Sequence, residues 1–281
     1  MSIAYFNGEF VNIDERVIPI EERGHQFGDG VYEVVMVYNN TPCLLDEHLK
    51  RLANSAKLIN LSLPYTLTEI KNIILEALKR SNLSHAEVYF QVTRGIASRT
   101  HLFPDASPSF SLTVKPVREI DGKFYQTGVD TLTTADERWA NCHIKSLNLL
   151  PNILAKQMAV DHGKYEAILV NNGLITEGTS TNVFVIKRDT IYTTPLTSNI
   201  LAGITRQAII KLADEANLKL VEEDFTVDFL KQGDEAFISS TTIELLPIRS
   251  VDSVTIGNGT PGVITKQLHN LYIQQYTKGA D

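Results

Sequence analysis

Residues 141–150 read NCHIKSLNLL, with a lysine between an expected apolar strand end and a strongly apolar helix. A single lysine is usually a solvated surface charge. A lysine between two apolar elements is instead partly desolvated, which favours the neutral amine that can attack an aldehyde. We therefore expect a strand-to-helix junction here, with Lys145 as a candidate nucleophile.

The composition is that of an ordinary globular protein. The chain has 281 residues, of which 43% are hydrophobic and 21% charged. This length allows one large domain or two ordinary ones. The net charge of −7 disfavours nucleic acid as a partner, and an anionic ligand would need a local cluster of positive groups.

The cysteine usage and the apolar pattern point to a cytoplasmic protein. Cys43 and Cys142 form no CxxC pair, which suits a reducing compartment and offers no zinc or other metal site. The N-terminus lacks the pattern of a signal peptide. No apolar run approaches the roughly 20 residues that span a bilayer, so we expect no membrane contact.

The apolar pattern predicts two α/β domains with mixed sheets. Asn7-Gly8 between two apolar runs predicts a hairpin, and strands are expected at 31–38, 43–45, 87–94 and 110–117. Asp46 is expected to cap a helix, and Thr66 with Glu69 forms a capping box for another. Pro116 and Gly122 lie where the pattern changes. The prediction is a smaller domain at 1–117, a linker at 118–123 and a larger domain at 124–281, with a ligand between the domains.

The apolar pattern in the second half of the sequence predicts further strands and three helices. Strands are expected at 129–134, 166–170, 182–186 and 236–238, and helices at 148–161, 205–216 and 261–276. Glu177 lies between two of these runs, in TEGTSTN at 176–182. Such a segment is commonly a turn with a solvated carboxylate. The functional alternative is a carboxylate fixed by several donors beneath a heteroaromatic cation.

Two segments could hold a phosphate group. GITR at 203–206 opens a helix, whose free backbone N–H groups favour an anion. SSTT at 239–242 offers hydroxyl groups in a turn. The ordinary alternatives are a helix cap and a hydroxyl-rich turn. Arg51 lies opposite the Leu49/Leu52 stripe of its helix, where a solvated arginine is the usual outcome.

A basic segment could bind a carboxylate. RGIASRTH at 94–101 places Arg99 and His101 two residues apart, so an extended backbone would point both side chains to the same side. A bidentate ion pair between an arginine and a carboxylate is a strong, directional contact. The alternative is a basic surface loop.

The motifs together resemble the fold-type IV pyridoxal-phosphate enzymes, the class IV aminotransferases, over nearly the whole chain. They are RGHQFGDGVYE at 23–33, EHLKRL at 47–52, IKSLN at 144–148, TEG at 176–178, GITR at 203–206 and STT at 240–242. YFQVTRG at 89–95, followed by Arg99 and His101, resembles the D-amino acid aminotransferase branch. This resemblance implies two α/β domains with pyridoxal 5'-phosphate between them.

The resemblance also implies roles for individual residues. Lys145 would form the Schiff base and carry the proton, and Glu177 would contact the pyridine nitrogen. The residues implied for the phosphate group are Arg51, Ile204, Thr205, Ser240 and Thr241, and Leu201 would lie against the ring. Tyr32, Arg99 and His101 would hold the substrate carboxylate, the last two from the partner subunit of a homodimer.

The implied activity is a ping-pong transfer of an amino group from a D-amino acid, such as D-alanine, to a 2-oxo acid, such as 2-oxoglutarate. The nearest alternative is an L-branched-chain aminotransferase, which usually lacks the Arg-x-His pair. An aminodeoxychorismate lyase, an amine transaminase, a non-catalytic vitamin B6 carrier and an α/β interaction protein remain further alternatives. The sequence departs from the family pattern at His25, Ala140, Asn141 and His143, with consequences for side-chain preference or the dimer surface.

Overall fold

The computed structural model describes residues 2–278; Met1 and residues 279–281 of the predicted domains lie outside the described residues. The chain forms two compact units. The first contains residues 2–118, Ile144–Asn148 and 276–278, and the second contains Glu119–His143 and Leu149–Gln275. The segment that carries Lys145 therefore packs with the first unit, and the domain boundaries expected at 117 and 124 stay predictions.

The first unit is an antiparallel sheet with helices. Its strands are β1 (Ile3–Phe6), β2 (Glu9–Val11), β3 (Gly30–Tyr38), β4 (Thr41–Pro42), β5 (Ala86–Thr93) and β6 (Ser109–Pro116). Its helices are α1 (Arg23–Phe27), α2 (Leu45–Leu58) and α3 (Leu67–Ser81). In the described part of the chain the strand order is β2-β1-β6-β5-β3-β4. The predicted Asn7-Gly8 hairpin joins β1 and β2.

The core of the first unit lies between its sheet and its two longer helices. Alternate residues of β5, including Val88 and Phe90, are fully buried, as are Leu52 of α2 and Ile70 and Ile74 of α3. The Leu49/Leu52 stripe of α2 and the buried residues of α3 therefore face the sheet. Burying each such side chain contributes about 1.5–3 kcal/mol, which stabilises the packing of α2 and α3 against the sheet.

One predicted helix start is confirmed and another is wrong. Thr66 and Glu69 form the capping box of α3. Asp46 does not cap α2: the N-cap is Leu44, in a left-handed conformation, and Asp46 lies in the first turn with its carboxylate 2.7 Å from Lys71 Nζ. The strand expected at 43–45 is also wrong, because β4 ends at Pro42 and Leu45 is the first buried residue of the helix.

The second unit contains a larger, mixed sheet. Its strands are β7 (Val129–Ala135), β8 (Glu166–Asn171), β9 (Leu174–Gly178), β10 (Asn182–Lys187), β11 (Thr190–Thr193), β12 (Leu220–Glu222), β13 (Glu235–Ser240), β14 (Glu244–Val251) and β15 (Val254–Thr255). Its helices are α4 (Lys123–Thr127), α5 (Leu150–Asp161), α6 (Ile204–Glu215), α7 (Val227–Lys231) and α8 (Val263–Tyr272). A π-helix (Ile273–Thr277) follows α8, and the boundary of the unit falls within it, after Gln275.

The order of this sheet explains its mixed character. It runs β12-β11-β10-β13-β14-β7-β8-β9 through the described residues, with β15 paired to β14. The pairs β11–β12, β14–β7 and β7–β8 are parallel, whereas the other pairs are antiparallel. The prediction of an α/β chain with a mixed sheet is confirmed. Across residues 2–278, every helix is too short or too polar to span a bilayer.

The junction at Lys145 differs from the prediction in one respect. Residues 140–143 form a turn rather than a strand end. The expected helix follows, beginning at Leu150. Between them, the Lys145 carbonyl accepts a hydrogen bond from Tyr32 N–H (3.0 Å), and Leu147 N–H donates to the Gly30 carbonyl (3.0 Å). The segment is extended because it pairs with the start of β3, more than 100 residues away in sequence, which local periodicity does not reveal.

The capping box of α3 gives a first prediction. Thr66→Ala removes the hydroxyl that accepts from Glu69 N–H, and we expect it to lower the free energy of unfolding by about 1 kcal/mol. Thr66→Ser keeps the hydroxyl and serves as the control. Urea denaturation of the three proteins measures the difference; equal midpoints for the alanine and serine variants would contradict the assignment.

Candidate active site

Lys145 lies over an aromatic ring of the first unit. Its Nζ is 4.2 Å from the centroid of the Tyr32 ring, and its backbone N–H donates to Ser55 Oγ (3.2 Å). Ser55 is buried on α2 and Tyr32 lies on β3. The lysine is half-buried. A strand and a helix of one unit thus orient the amine, as expected for a nucleophile rather than a freely solvated charge.

Arg51 is held by a buried carboxylate. Its Nε and Nη2 lie 2.7 and 2.8 Å from the two oxygens of Glu33, whose second oxygen is also 2.7 Å from His48 Nδ1. Burial alone would raise the pKa of Glu33, but Arg51 and His48 lower it to about 2. Arg51 is therefore not the solvated side chain suggested by its helical position. Glu33 fixes its guanidinium plane, and sequence reasoning assigned Glu33 no role.

Glu177 is a buried carboxylate of the second unit, on β9. Its Oε1 accepts from Arg138 Nη1 (2.5 Å), and its Oε2 accepts from Asn182 Nδ2 (3.1 Å) and Leu201 N–H (3.2 Å). Burial raises the pKa of Glu177 to about 7, against the lowering effect of Arg138. The carboxylate fixed by several donors is present, and the solvated turn is not.

Arg138 is a residue that sequence reasoning missed. It bridges Glu177 and Asp136, with 2.8 Å from its Nε to Asp136 Oδ1 and 2.7 Å from its Nη2 to Asp136 Oδ2. The Arg138 side chain is 6% exposed. Desolvation would lower its pKa, but the two carboxylates raise it. The pattern Asp136-x-Arg138 directly after β7 was the available signal, because charged groups at a strand end often face a ligand site.

Asn182 links the two candidate phosphate segments within the second unit. Besides Glu177, its Nδ2 donates to the Leu201 carbonyl (3.1 Å). A Cβ at Gly203 would lie 2.1 Å from Asn182 Oδ1, so only glycine allows this approach. Asn182 also pairs with Ser239 across β10 and β13. Gly203 and Ser239 therefore lie on either side of one asparagine.

The ends of these segments retain hydrogen-bonding capacity. Among the described side chains, none caps α6 at Gly203, and its first residues, Ile204 and Thr205, are buried. Within residues 2–278, the buried Ser239 Oγ has no hydrogen-bond partner. Ser240 Oγ lies 3.4 Å from Thr242 Oγ1, and the half-buried Thr241 follows β13. An uncapped helix N-terminus and an unpaired hydroxyl both offer hydrogen-bond donors, which fit a phosphate group.

Arg99 and His101 lie on a loop of the first unit, and both are exposed. Arg99 Cζ is 4.6 Å from the centroid of the Phe27 ring, and the His101 ring meets the same ring edge-on at 5.9 Å. The two side chains thus share one aromatic neighbour. Within the described part of the chain, no carboxylate forms an ion pair with Arg99.

The departures from the family pattern lie at the edges of these groups. His25 is exposed on α1, with its N–H bonded to the Glu22 carboxylate (2.9 Å). Ala140 and Asn141 are exposed in the turn before Lys145. His143 contacts the Ser198 carbonyl through its backbone N–H (3.1 Å) and Nδ1 (3.2 Å).

The candidate residues divide between the units. The first unit holds Lys145, Tyr32, Arg51, Arg99 and His101, and the second holds Glu177, Leu201, Ile204, Thr205, Ser240 and Thr241. In the second unit, Glu177, Leu201 and the start of α6 meet around Asn182. In the first, Lys145 and Tyr32 are in contact.

Known proteins are similar to this chain over most of its length. The model of the family "Amino-transferase class IV" matches residues 30–251. D-alanine aminotransferase from Bacillus licheniformis is 44% identical over 94% of this chain and 93% of its own length. The Escherichia coli branched-chain amino acid aminotransferase has a TM-score of 0.93 at 27% identity, covering 99% of this chain and 96% of that one.

A further solved structure adds a cofactor to the comparison. The T.th. branched-chain amino acid aminotransferase with pyridoxamine 5'-phosphate has a TM-score of 0.90 at 25% identity, covering 98% of this chain and 94% of that one. This chain belongs to the amino-transferase class IV family. Its fold is the one that the motifs predicted, and it is an aminotransferase.

The raised pKa of Glu177 predicts a pH-dependent stability. Its value of about 7 against the usual 4.5 means that the folded, cofactor-free chain binds more protons than the unfolded chain between those pH values. Stability should therefore fall as the pH rises through this window, by at most about 3 kcal/mol, and Glu177→Gln should remove this slope.

Urea denaturation of the cofactor-free chain across the range between these two pKa values tests this prediction. Glu215→Gln, on the exposed side of α6, controls for the loss of a carboxylate elsewhere. Parallel pH profiles for the unmodified chain and Glu177→Gln would contradict the prediction.

Proposed function

We propose that this chain is a D-amino acid aminotransferase that moves an amino group between a D-amino acid, such as D-alanine, and a 2-oxo acid, such as 2-oxoglutarate. The observation that carries the proposal is the Arg99/His101 pair, whose side chains share the Phe27 ring. Two adjacent groups that can carry positive charge suit an α-carboxylate. The name of the Bacillus licheniformis relative supports the same substrate class.

The cofactor we propose is pyridoxal 5'-phosphate. The unpaired Ser239 hydroxyl and the uncapped start of α6 fit its phosphate group, with Ile204, Thr205, Ser240 and Thr241 as the residues that would hold it. Arg51, fixed by Glu33, would add a positive charge. When bound, the cofactor supplies the electron sink and stores the amino group between the two halves of a ping-pong reaction.

Lys145 would hold the cofactor covalently and move the substrate proton through its Nζ. Its position over the Tyr32 ring restricts the amine to one region of the first unit. A positioned amine within reach of the substrate Cα can remove a proton and return it at a neighbouring atom. Lys145 and Glu177 are therefore the residues we assign to the chemistry.

Glu177 would hold a proton at the pyridine nitrogen. A carboxylate with a pKa of about 7 is poised to share a proton with such a nitrogen, and a cation at that atom would favour its charged form. Arg138 and Asn182 orient its two oxygens. Leu201, whose N–H also donates to Glu177, would lie against the cofactor ring.

The stereochemical preference would follow from where the carboxylate is held. If Tyr32, Arg99 and His101 fix it on one side, one enantiomer presents its Cα–H to Lys145. The competing candidate is a branched-chain L-amino acid aminotransferase, which the similarity to solved structures of such enzymes favours. Supplying D-alanine or L-leucine with 2-oxoglutarate and measuring the 2-oxo acid formed distinguishes the two.

We further propose that the active form is a homodimer in which Arg99 and His101 complete the partner's site. Both side chains are exposed in the single chain, which leaves them accessible to a second copy. The exposed Ile96 and Leu102 on the same loop would add apolar contact area. The cytoplasmic location suggested by the cysteine usage stays a prediction.

Lys145→Ala should abolish turnover of D-alanine, because the variant loses the amine that serves both covalent binding and proton transfer. Lys187→Ala is the matched control, since Lys187 also lies over an aromatic ring, 4.7 Å from the Phe229 centroid. Turnover and cofactor absorbance are measured for both variants. Normal turnover by Lys145→Ala would rule out the assigned role.

Arg99→Ala should lose D-alanine turnover by about 100-fold while retaining the cofactor, since the variant removes a charged contact to substrate only. Equal loss of cofactor binding and turnover would indicate a structural role instead.

Co-expression of the Lys145→Ala and Arg99→Ala chains tests the dimer. If Arg99 serves the partner's site, about half of the dimers are hybrids with one complete site, and about a quarter of the normal activity returns. No return of activity, with hybrid dimers verified by two affinity tags, would place Arg99 in its own chain's site.

A further inference from the structure

The first motif of the sequence, RGHQFGDG at 23–30, has no assigned role in the proposed chemistry, yet it lies against the loop that carries Arg99 and His101. α1 is formed by this motif, and its C-cap is Gly28, which adopts a left-handed conformation. The ring of Phe27, the last residue of α1, contacts both loop side chains. These contacts join two segments that are far apart in sequence.

We propose that Phe27 is a positioning residue for the Arg99/His101 pair, so that its ring orders both side chains for a substrate carboxylate. The Arg99 guanidinium lies 4.6 Å and the His101 ring 5.9 Å from the ring centroid, the latter at an interplanar angle of 71°. An edge-to-face contact and a cation–π contact are both favourable in these geometries. The inference rests on the proposed role of Arg99 and His101.

Arg23 holds the backbone between the two side chains. Its Nη1 donates to the carbonyl of Thr100 (2.7 Å), the residue between Arg99 and His101, and its Nε pairs with Asp29 (2.9 Å). Arg23 is 3% exposed, so this contact is shielded from water. The Arg23 Cζ also lies 4.8 Å from the Phe27 centroid. One short helix therefore contacts three consecutive loop residues.

The base of the loop is closed by Arg94 and Gly95. Arg94 Nε shares Asp29 with Arg23, and the Arg94 Cζ lies 3.7 Å from the centroid of the Phe103 ring. Gly95 has a φ of +92°, and a Cβ there would lie 2.1 Å from the Ser107 carbonyl oxygen. The two ends of the loop thus meet closely, which limits the positions that Arg99 and His101 can adopt.

This arrangement lowers the cost of binding an anion. An exposed arginine samples many rotamers, and ordering it on binding opposes affinity. Contact with Phe27 removes part of that freedom before the substrate arrives. Within residues 2–278, Arg99 has no carboxylate partner that the substrate would need to displace.

The test compares Phe27→Leu with Phe27→Tyr in the cofactor-loaded enzyme. Phe27→Leu keeps an apolar side chain without a ring, and we expect KM for D-alanine to rise about five-fold with little change in kcat. Phe27→Tyr keeps the ring and should retain the normal KM. Phe10→Leu is the matched control, because Arg80 lies 4.0 Å from the Phe10 ring in a comparable contact elsewhere.

Two probes separate positioning from a general structural effect. Propionate carries a carboxylate without an amino group, and its inhibition constant should rise by the same factor in Phe27→Leu. Hydroxylamine reacts with the cofactor and has no carboxylate, so its rate should stay unchanged. A change in the hydroxylamine rate equal to the change for propionate would overturn the positioning role.

A combined variant completes the test. If Phe27 acts through Arg99 and His101, Phe27→Leu adds little in a background that lacks both side chains (Arg99→Ala with His101→Ala), whereas additive effects there would overturn the inference. If Arg99→Ala itself leaves propionate binding unchanged, the proposed carboxylate site at Arg99 and His101 is wrong, and the role of Phe27 is wrong with it. If Arg99→Ala impairs propionate binding but Phe27→Leu behaves like Phe10→Leu, Arg99 binds the carboxylate and Phe27 does not position it.

Discussion

Backbone hydrogen bonds between β3 and the segment Ile144–Asn148 hold Lys145 in place, and the site of the first unit depends on them. Tyr32 N–H binds the Lys145 carbonyl, and the Tyr32 ring lies beneath the Lys145 amine. The next residue of the strand, Glu33, fixes Arg51. Two consecutive residues of one strand therefore fix the two groups: Tyr32 holds the lysine and its aromatic neighbour, and Glu33 holds the cation.

The site of the second unit depends on a different interaction, the pairing of charged groups that are buried. Glu177, Arg138 and Asp136 are all largely shielded from water, and an ionised group in such surroundings is costly unless it is paired. The network satisfies each carboxylate with an arginine and with neutral donors. The remaining desolvation penalty raises the pKa of Glu177, so the burial that makes the ionised network costly also gives this carboxylate its affinity for a proton.

Local patterns predicted the five longer helices and most strands because periodicity and capping act over a few residues, whereas the short helices α1, α4 and α7 were not predicted. They also singled out Lys145 and Glu177, whose neighbours in sequence are distinctive. Arg138 and Glu33 were not predicted as site residues. Their partners Glu177 and Arg51 lie 39 and 18 residues away and are brought near by the folding of the chain. The wrong cap at Asp46 has a similar origin: the left-handed turn at Leu44 decides where α2 begins. The roles of the site residues follow from family resemblance rather than from such patterns.

The pairing of β3 with residues 144–148 has a consequence for biosynthesis. Contacts of such large sequence separation form slowly, since a long loop must close first. An N-terminal fragment ending at residue 118 contains β5, which pairs with one edge of Gly30 and Tyr32, but lacks residues 144–148, which pair with the other edge. The nascent chain must therefore grow beyond residue 148 before its first unit can be completed. Until then, that edge of β3 stays open to pairing with other strands.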